Sequence, residues 1–232
     1  MDSYYSKHFY WVLAVTFLPF LAMAQGTAVL WEPEAELDLD LSNRWSMNFG
    51  TDYRVGLSEQ LGEAGIQYVP IHLSFSQNTT YEIGFYGKVS AGIMYRFNTI
   101  GPVDEANELR TLQQYSYGKQ YNSIRLVHRV RSEQRIKSTG TAHRFRYRLS
   151  IDLPLNGEQL NAKEFYFAAS VESLLTVASR DTPEWDQRIT AGLGRELTSK
   201  TRLQLDVQYR FDDYFNAGGQ RVFFTTGVQY SL

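Results

Sequence analysis

The 232-residue chain contains no cysteine, and this absence excludes several classes of chemistry. Without cysteine there is no disulfide, no thiol nucleophile, no cysteine-ligated zinc or iron–sulfur cluster, and no lipid anchor of the lipoprotein type. Histidine is also scarce, because the chain has four such residues and none of them follows H-x-x-x-H spacing. We therefore predict no metal site and no cofactor.

A strong net charge and a membrane-spanning apolar run are missing as well. The formal net charge is −2, which argues against nucleic acid as a partner. The apolar run at residues 9–22 contains Pro19 and falls short of the roughly 20 residues that a transmembrane helix needs. It follows Lys7 and leads into Ala22-Met23-Ala24, a pattern typical of a secretory signal peptide. We expect residues 1–24 to be removed on export and residues 25–232 to form the mature domain, which has no transmembrane helix.

What the mature chain does contain is apolar and polar residues in alternation. Leu37 and Leu39 share one face of the first segment, and Glu36 and Asp38 share the other. A period of two over such lengths predicts β-strands. Eleven segments show it: residues 34–41, 45–55, 67–76, 81–97, 109–117, 121–135, 142–153, 164–175, 186–197, 201–211 and 221–232.

Short and long connections alternate along the predicted chain of strands. Short turns are expected at residues 42–43, 77–80, 118–120, 155–162 and 198–200, and longer loops at residues 57–65, 98–108, 136–141, 177–185 and 212–220. Short turns at one rim and long loops at the other are typical of Gram-negative outer-membrane barrels. An even strand number requires one further strand, for which residues 27–32, ended by Pro33, are the candidate. The sequence therefore predicts an all-β, antiparallel transmembrane barrel of about 12 strands, within a range of 10–12.

The orientation of the two faces separates a membrane barrel from a secreted, soluble ligand-binding barrel. A barrel of about 12 strands is too wide for an apolar interior to fill, whereas arginine and carboxylate side chains can bridge and hydrate it. This favours contact between the apolar face and outer-membrane lipid. The alternation continues through Val228 and Tyr230 to Leu232. It resembles the terminal strand that the barrel-assembly machinery recognises, although the usual final Phe is replaced by Leu.

Two neighbouring strands carry seven arginines on one face, and each would cost roughly 2–4 kcal/mol if it faced the middle of the bilayer. We therefore expect them to line the lumen, opposite an acidic strand. The predicted lumen charge ladder consists of Arg125, Arg129, Arg131, Glu133, Arg135, Arg144, Arg146, Arg148, Asp152, Glu36, Asp38 and Asp40.

Two interpretations of this ladder remain open. It is either a structural set of ion pairs, helped by Glu82, Glu172, Glu196 and Asp206, or a porin-like narrow pore whose transverse field selects small dipolar or anionic solutes. We favour the structural ladder, because a barrel must satisfy every lumen charge in any case.

A lipid-modifying enzyme is a further alternative. His128 and Ser132 share the face assigned to lipid, but four residues along a strand span about 13 Å, which is too far for a hydrogen bond. We expect His128 to lie near the membrane interface, capped by a neighbouring tyrosine, and His72 to lie in the lumen beside Ser74. No residue is therefore assigned a catalytic role.

The arginine-rich strands also carry a family resemblance. The run R-x-R-x-E-Q-R at residues 129–135, R-F-R-Y-R-L at residues 144–149 and Y-R-F at residues 209–211 resemble the uncharacterised outer-membrane β-barrels of domain of unknown function 2490. The resemblance covers roughly residues 31–232. It implies the fold and the location, and it carries no activity over to this chain.

Overall fold

A computed structural model describes residues 28–59, 66–100, 105–179, 181–215 and 218–232 of the chain. The predicted signal peptide lies outside the described residues. None of the described residues belongs to a helix that is long and apolar enough to cross a membrane. Eleven strands are present: β1 (Ala28–Asp40), β2 (Trp45–Glu59), β3 (Ile66–Ile83), β4 (Gly87–Phe97), β5 (Glu108–Tyr121), β6 (Ile124–Lys137), β7 (Gly140–Pro154), β8 (Phe165–Ala178), β9 (Glu184–Glu196), β10 (Thr201–Phe211) and β11 (Gln220–Ser231).

The strands form one closed barrel in which each strand pairs with its neighbours in the chain. Consecutive strands are antiparallel, and the barrel closes between β1 and β11, which run parallel, with Ala28 opposite Arg221 and Asp38 opposite Ser231. An odd number of up-and-down strands requires such a parallel seam, because the first and the last strand then run the same way. Over the residues that the structure describes, the fold is therefore an all-β barrel with eleven strands, inside the expected range of 10–12 but one fewer than the twelve predicted.

The missing twelfth strand has a local explanation at Pro33. Residues 27–32 were expected to form a separate strand ended by this proline, but β1 passes through Pro33, which pairs with Thr226 of β11. On the other side of β1, pairing with β2 stops at Trp31 and resumes at Glu34 in the same register. Proline lacks only its own backbone donor, so the ladder loses pairs there without ending.

Three predicted connections are also wrong. Residues 77–80 lie inside β3 and the turn is at residues 84–86, while residues 118–120 lie inside β5 and the turn is at residues 122–123. The loop expected at residues 136–141 shrinks to the two residues 138–139. Side-chain hydrogen bonds explain why a polar stretch remains extended, since the Thr80 and Ser90 hydroxyl oxygens lie 2.8 Å apart across β3 and β4.

Proline occurs a second time inside a strand, at a β-bulge. Arg54 of β2 pairs with His72 and Val55 pairs with Pro70, so Ile71 of β3 has no partner in this ladder. A bulge accepts a residue without a backbone donor, and it also bends the strand at the barrel wall.

The connections define two rims. The first rim carries residues 41–44, 84–86, 122–123, 155–164 and 197–200 together with the end of β11. The second rim carries residues 98–100, 105–107, 138–139, 179, 181–183, 212–215 and 218–219 together with the end of β2 and the starts of β1 and β3. The expected separation of short turns from long loops therefore holds only in part. The ten-residue connection at 155–164 lies among the short turns, and the two-residue turn at 138–139 lies among the long loops.

The two faces of the wall have opposite polarity. On the outside, Leu205, Val130 and Leu193 are 64%, 55% and 54% exposed. On the inside, Glu133 and Glu172 are 0% and 2% exposed. Among the described residues, the buried polar and charged side chains outnumber the buried apolar ones, which is the reverse of a soluble domain.

Candidate functional site

The barrel encloses a cavity of about 720 Å³, and charged side chains dominate its wall. Alternation places them there, because residues that share the parity of Arg146 on β7 or of Glu172 on β8 all point away from the apolar outer face. The cavity is the candidate functional site.

An arginine that bridges two carboxylates lies at the centre of the charged wall. Arg146 donates from Nη1 to Oε1 of Glu133, 2.7 Å away on β6, and from Nη2 to Oε2 of Glu172, 2.8 Å away on β8. Both carboxylates are almost completely buried. Charge-assisted hydrogen bonds are stronger than hydrogen bonds between neutral groups. Here they connect the three neighbouring strands β6, β7 and β8.

Further arginines surround the same two carboxylates. Nitrogen atoms of Arg129, Arg188 and Arg148 lie 3.2, 3.6 and 3.9 Å from Glu172. Those of Arg131 and Arg110 lie 3.5 and 3.7 Å from Glu133. We call these eight residues the central network: Arg110, Arg129, Arg131, Arg146, Arg148, Arg188, Glu133 and Glu172.

The network continues toward the second rim through Glu108. This buried carboxylate accepts hydrogen bonds from Arg110 and, at 2.6 Å, from Nη2 of Arg135, and Lys137 lies 3.9 Å away. Arg144 lies nearby on β7, where it donates to the Thr176 hydroxyl at 2.8 Å and lies 4.0 Å from Asp186.

The remaining predicted ladder residues are placed apart from this network. Arg125 and Asp152 form a pair of 3.8 Å near the first rim, where both side chains are partly exposed. Glu36 and Asp38 accept hydrogen bonds from Asn48 at 3.4 and 2.8 Å. Asp40 lies exposed at the end of β1.

The acidic strand and the arginine strands therefore face each other without direct pairing. In the described part of the chain, no arginine of β6 or β7 comes within 4.0 Å of Glu36, Asp38 or Asp40.

The four carboxylates that we expected to add ion pairs to the ladder also divide between the central network and separate contacts. Glu172 belongs to the central network, whereas Glu82 pairs with Lys88 and Glu196 pairs with Arg202. Asp206 accepts hydrogen bonds from the Gln204 amide at 2.9 Å.

Sequence reasoning missed a second cluster built around an inward-pointing aromatic ring. Phe223 is fully buried, and the guanidinium carbons of Arg210, Arg54 and Arg221 lie 3.5, 4.8 and 5.7 Å from its ring centroid. Arg54 also donates to Glu32 at 2.6 Å. The available signal was parity, because Phe223 shares the face of Arg221 and not that of Phe224.

A serine, a histidine and an aspartate meet on the cavity wall, but not in a catalytic order. His72 Nε2 and Ser74 Oγ both lie 3.1 Å from the same oxygen of Asp52. Ser74 also accepts a hydrogen bond from Arg96 at 3.0 Å. In a catalytic triad the hydroxyl bonds to the imidazole and the imidazole to the carboxylate, whereas here the hydroxyl and the imidazole both bond to the carboxylate.

The outer face holds the other histidine that we considered for catalysis. His128 Nδ1 lies 2.9 Å from the Tyr147 hydroxyl oxygen, while Ser132 accepts a hydrogen bond from Gln134 at 3.4 Å. His128 and Ser132 therefore use different partners. No group of three His, Asp or Glu side chains within the described ranges is arranged to hold a metal ion.

A tyrosine–glutamine hydrogen bond links the wall of the main cavity to the wall of a smaller cavity at the first rim. Tyr166 donates to Gln204 Oε1 at 2.6 Å; Gln204 lines the main cavity, and Tyr166 lines a second cavity of about 480 Å³. Gly194 makes room for this ring, since a Cβ at that position would lie 2.0 Å from the Tyr166 Cζ atom.

Comparison with known proteins decides the family. A family model described as "Protein of unknown function (DUF2490)" matches residues 33–221. The chain belongs to this family. The resemblance noted from the arginine-rich strands is thus confirmed, and the match includes every strand of the DUF2490 barrel at least in part.

The other comparisons add little to the DUF2490 assignment. No curated protein matches the chain. Among solved structures, the siderophore receptor PirA from Pseudomonas aeruginosa is similar at 14% identity and a TM-score of 0.33. The alignment covers 78% of this chain and 34% of that chain, so the DUF2490 protein spans about a third of the receptor's length.

Proposed function

We propose that this protein is an integral outer-membrane β-barrel of a Gram-negative cell, exported by a cleaved signal peptide at residues 1–24. Its interior is a charge-lined compartment that small solutes can enter, but it is closed to passage through the barrel and is not an open pore. Outer-membrane lipid is its main partner.

The observation that carries this proposal is the inverted polarity of the wall. Apolar side chains such as Phe75, Phe145 and Leu205 are more than half exposed on the outside. Burying them against acyl chains is favourable by about 25 cal/mol per Å² of apolar surface removed from water. A soluble barrel would need these side chains inside and the arginines outside, which is the reverse of this arrangement.

Polar groups on the outer face are compatible with lipid where they satisfy one another. The amide groups of Gln113 and Gln134 exchange two hydrogen bonds of 3.2 Å across β5 and β6. Thr111 donates to the same Gln134 oxygen. Paired amides cost much less in hydrocarbon than unpaired ones.

The central network and Tyr166 support a closed compartment. The arginines form ion pairs along the wall of the lumen and narrow it, and the Tyr166–Gln204 hydrogen bond joins a residue that lines the smaller cavity to one that lines the main cavity. A narrow pore is the second candidate, favoured by the charged lining of both cavities. Asp152, which lines both, would then lie on the path of the solute.

The final strand supports assembly by the barrel-assembly machinery. β11 pairs on both sides, and the Leu232 amide donates to the Asp38 carbonyl oxygen at 2.9 Å. Insertion of this strand completes the barrel.

Membrane location is tested by producing the full chain in a Gram-negative host and separating the membranes by density. We expect the protein in the outer-membrane fraction, resistant to carbonate extraction, with heat-modifiable migration on gels. A variant lacking residues 1–24 is the control and should remain inside the cell. Recovery of the mature protein in the periplasm, dissolved without detergent, would contradict the proposal.

A further inference from the structure

The main cavity has the size of a ligand site, and the charges on its wall are segregated by sign. Pockets for small molecules usually occupy about 300–1,000 Å³, and this cavity occupies about 720 Å³. The ion pairs described above do not neutralise the wall evenly.

The side that carries the central network, formed by β5 to β9, has a surplus of cations. Six arginines share Glu133 and Glu172, which leaves more guanidinium groups than carboxylates in the central network. Arg148 is the most weakly paired of them, with its nearest carboxylate oxygen 3.9 Å away. Arg129, Arg131 and Arg148 all line the cavity.

The side formed by β1 and β10 carries carboxyl groups that have no cationic partner in the part of the chain that the structure describes. Glu34, Glu36 and Asp206 line the cavity, and none of them has a cationic partner within 4.0 Å among the residues that the structure describes. Glu36 and Asp206 accept hydrogen bonds only from neutral amides, those of Asn48 and Gln204.

The two sides act on each other across the cavity. Arg129 and Arg131 interact electrostatically with Glu36, and Arg148 interacts with Asp206, although neither carboxylate lies within ion-pair distance of these arginines. Opposite charges that face each other across such a gap produce a field between them, and a dipolar molecule aligned with that field is stabilised.

We propose that this cavity binds a small zwitterion, with its anionic group on Arg129, Arg131 and Arg148 and its ammonium group on Glu34, Glu36 and Asp206. A simple anion would neutralise only the arginine side and would meet uncompensated carboxylates opposite. A simple cation has the converse problem. Only a molecule with both charges satisfies both walls, and guanidinium groups can hold a carboxylate in bidentate geometry.

The inference rests on the interior of the barrel and not on its membrane location. The binding test therefore uses the purified mature protein in non-ionic detergent, at low salt, with its fold checked by circular dichroism. A negative result for membrane location would leave this test unaffected, and the reverse is also true.

Isothermal titration uses the zwitterions glycine, diglycine and triglycine, which differ in the separation of their two charges. The controls are the N-acetylated form, the C-terminal amide and the doubly blocked form of the tightest binder. We expect saturable binding of at least one zwitterion, about tenfold tighter than each blocked form, because each lost charge removes charge-assisted hydrogen bonds.

Variants then show which wall of the cavity binds which charged group of the zwitterion. Glu34→Gln should weaken the zwitterion about tenfold while leaving its N-acetylated form unchanged, and Arg148→Gln should weaken both. Glu36→Gln replaces Glu34→Gln if that variant does not fold. Glu82→Gln is the matched control, because Glu82 pairs with Lys88 and does not line the cavity.

Three results would overturn the proposal. They are no saturable binding of any of the three zwitterions, equal binding of a zwitterion and its doubly blocked form, or a Glu34→Gln or Glu36→Gln variant that binds as the parent protein does.

Discussion

Nη2 of Arg146 lies 2.8 Å from Oε2 of Glu172, and the two residues connect the adjacent strands β7 and β8 on the inner face of the barrel wall. Glu172 is 2% exposed and has three further arginines within 4.0 Å. A buried carboxylate that several strands share in this way couples their positions. The central network therefore holds the wall together from within.

Replacement of Arg146 by methionine should destabilise the barrel. The substitution leaves Glu133 and Glu172 without their shortest ion pairs, and removal of one partner of a buried pair costs about 3–5 kcal/mol. Urea unfolding in detergent, followed by tryptophan fluorescence, measures the loss. Arg125→Met is the control, because its pair with Asp152 is long and partly exposed. Equal unfolding midpoints for the two variants would contradict the structural role of the network.

Gly194→Ala should displace the Tyr166 ring. The added Cβ would lie 2.0 Å from Cζ of Tyr166, so the ring must leave its place and lose its hydrogen bond to Gln204. Overpacking of this kind costs about 1–3 kcal/mol. In a Tyr166→Ala background the same change should cost much less, which a double-mutant cycle measures. Gly227→Ala is the control, because a Cβ at that position would make only an ordinary van der Waals contact of 3.9 Å with the Gln204 carbonyl oxygen.

Tyr166→Ala should join the two cavities. The phenol ring lines the smaller cavity and its hydrogen-bond partner Gln204 lines the main one, so we expect removal of the ring to connect the main cavity to the first rim. In planar bilayers we expect a clear rise in single-channel conductance over the parent protein. Tyr115→Ala, on the exposed outer face, should behave as the parent does. Open channels of equal conductance in the parent and in Tyr166→Ala would contradict the closed compartment.

Cysteine labelling can assign the rims to the two sides of the membrane, because the chain contains no cysteine of its own. Ser123→Cys lies at the first rim and Thr139→Cys at the second. With the first rim in the periplasm, an impermeant maleimide added to intact cells should label Thr139→Cys alone. Ser123→Cys should react only after the outer membrane is opened. The opposite pattern would reverse the orientation.

The fold was predictable where a local period determines it. Alternation along single strands indicated which face Arg146 and Leu205 occupy, and this required no knowledge of pairing. Strand ends were less predictable. Polar residues such as Asn78 are typical of turns, but in this barrel they also occur inside strands, where they face a polar interior. The predicted strand number was wrong because a strand end was expected at Pro33. Pairing with β11 and β2 on the two sides keeps β1 continuous there.

The ion-pair partners were harder to predict than the strands. Glu172 reaches Arg129 and Arg146 across separations of 43 and 26 residues, so their contact depends on the register of three strands. Arg188 of β9 contacts Glu172 and Glu108 of β5 contacts Arg135, although neither residue belonged to the predicted ladder. The only sequence signal at Phe223 was its parity with Arg221, because the two arginines nearest its ring, Arg210 and Arg54, come from other strands.

The central claim is that one face of every strand touches lipid while the other encloses the arginines. Nitroxide labels placed one at a time along β10, at residues 203–208, test it in reconstituted vesicles by electron paramagnetic resonance. The account predicts that collisions with oxygen alternate with period two, high at Leu203, Leu205 and Val207 and low at Gln204 and Gln208. Uniform accessibility to a water-soluble nickel complex along the strand, or an inverted alternation, would contradict it.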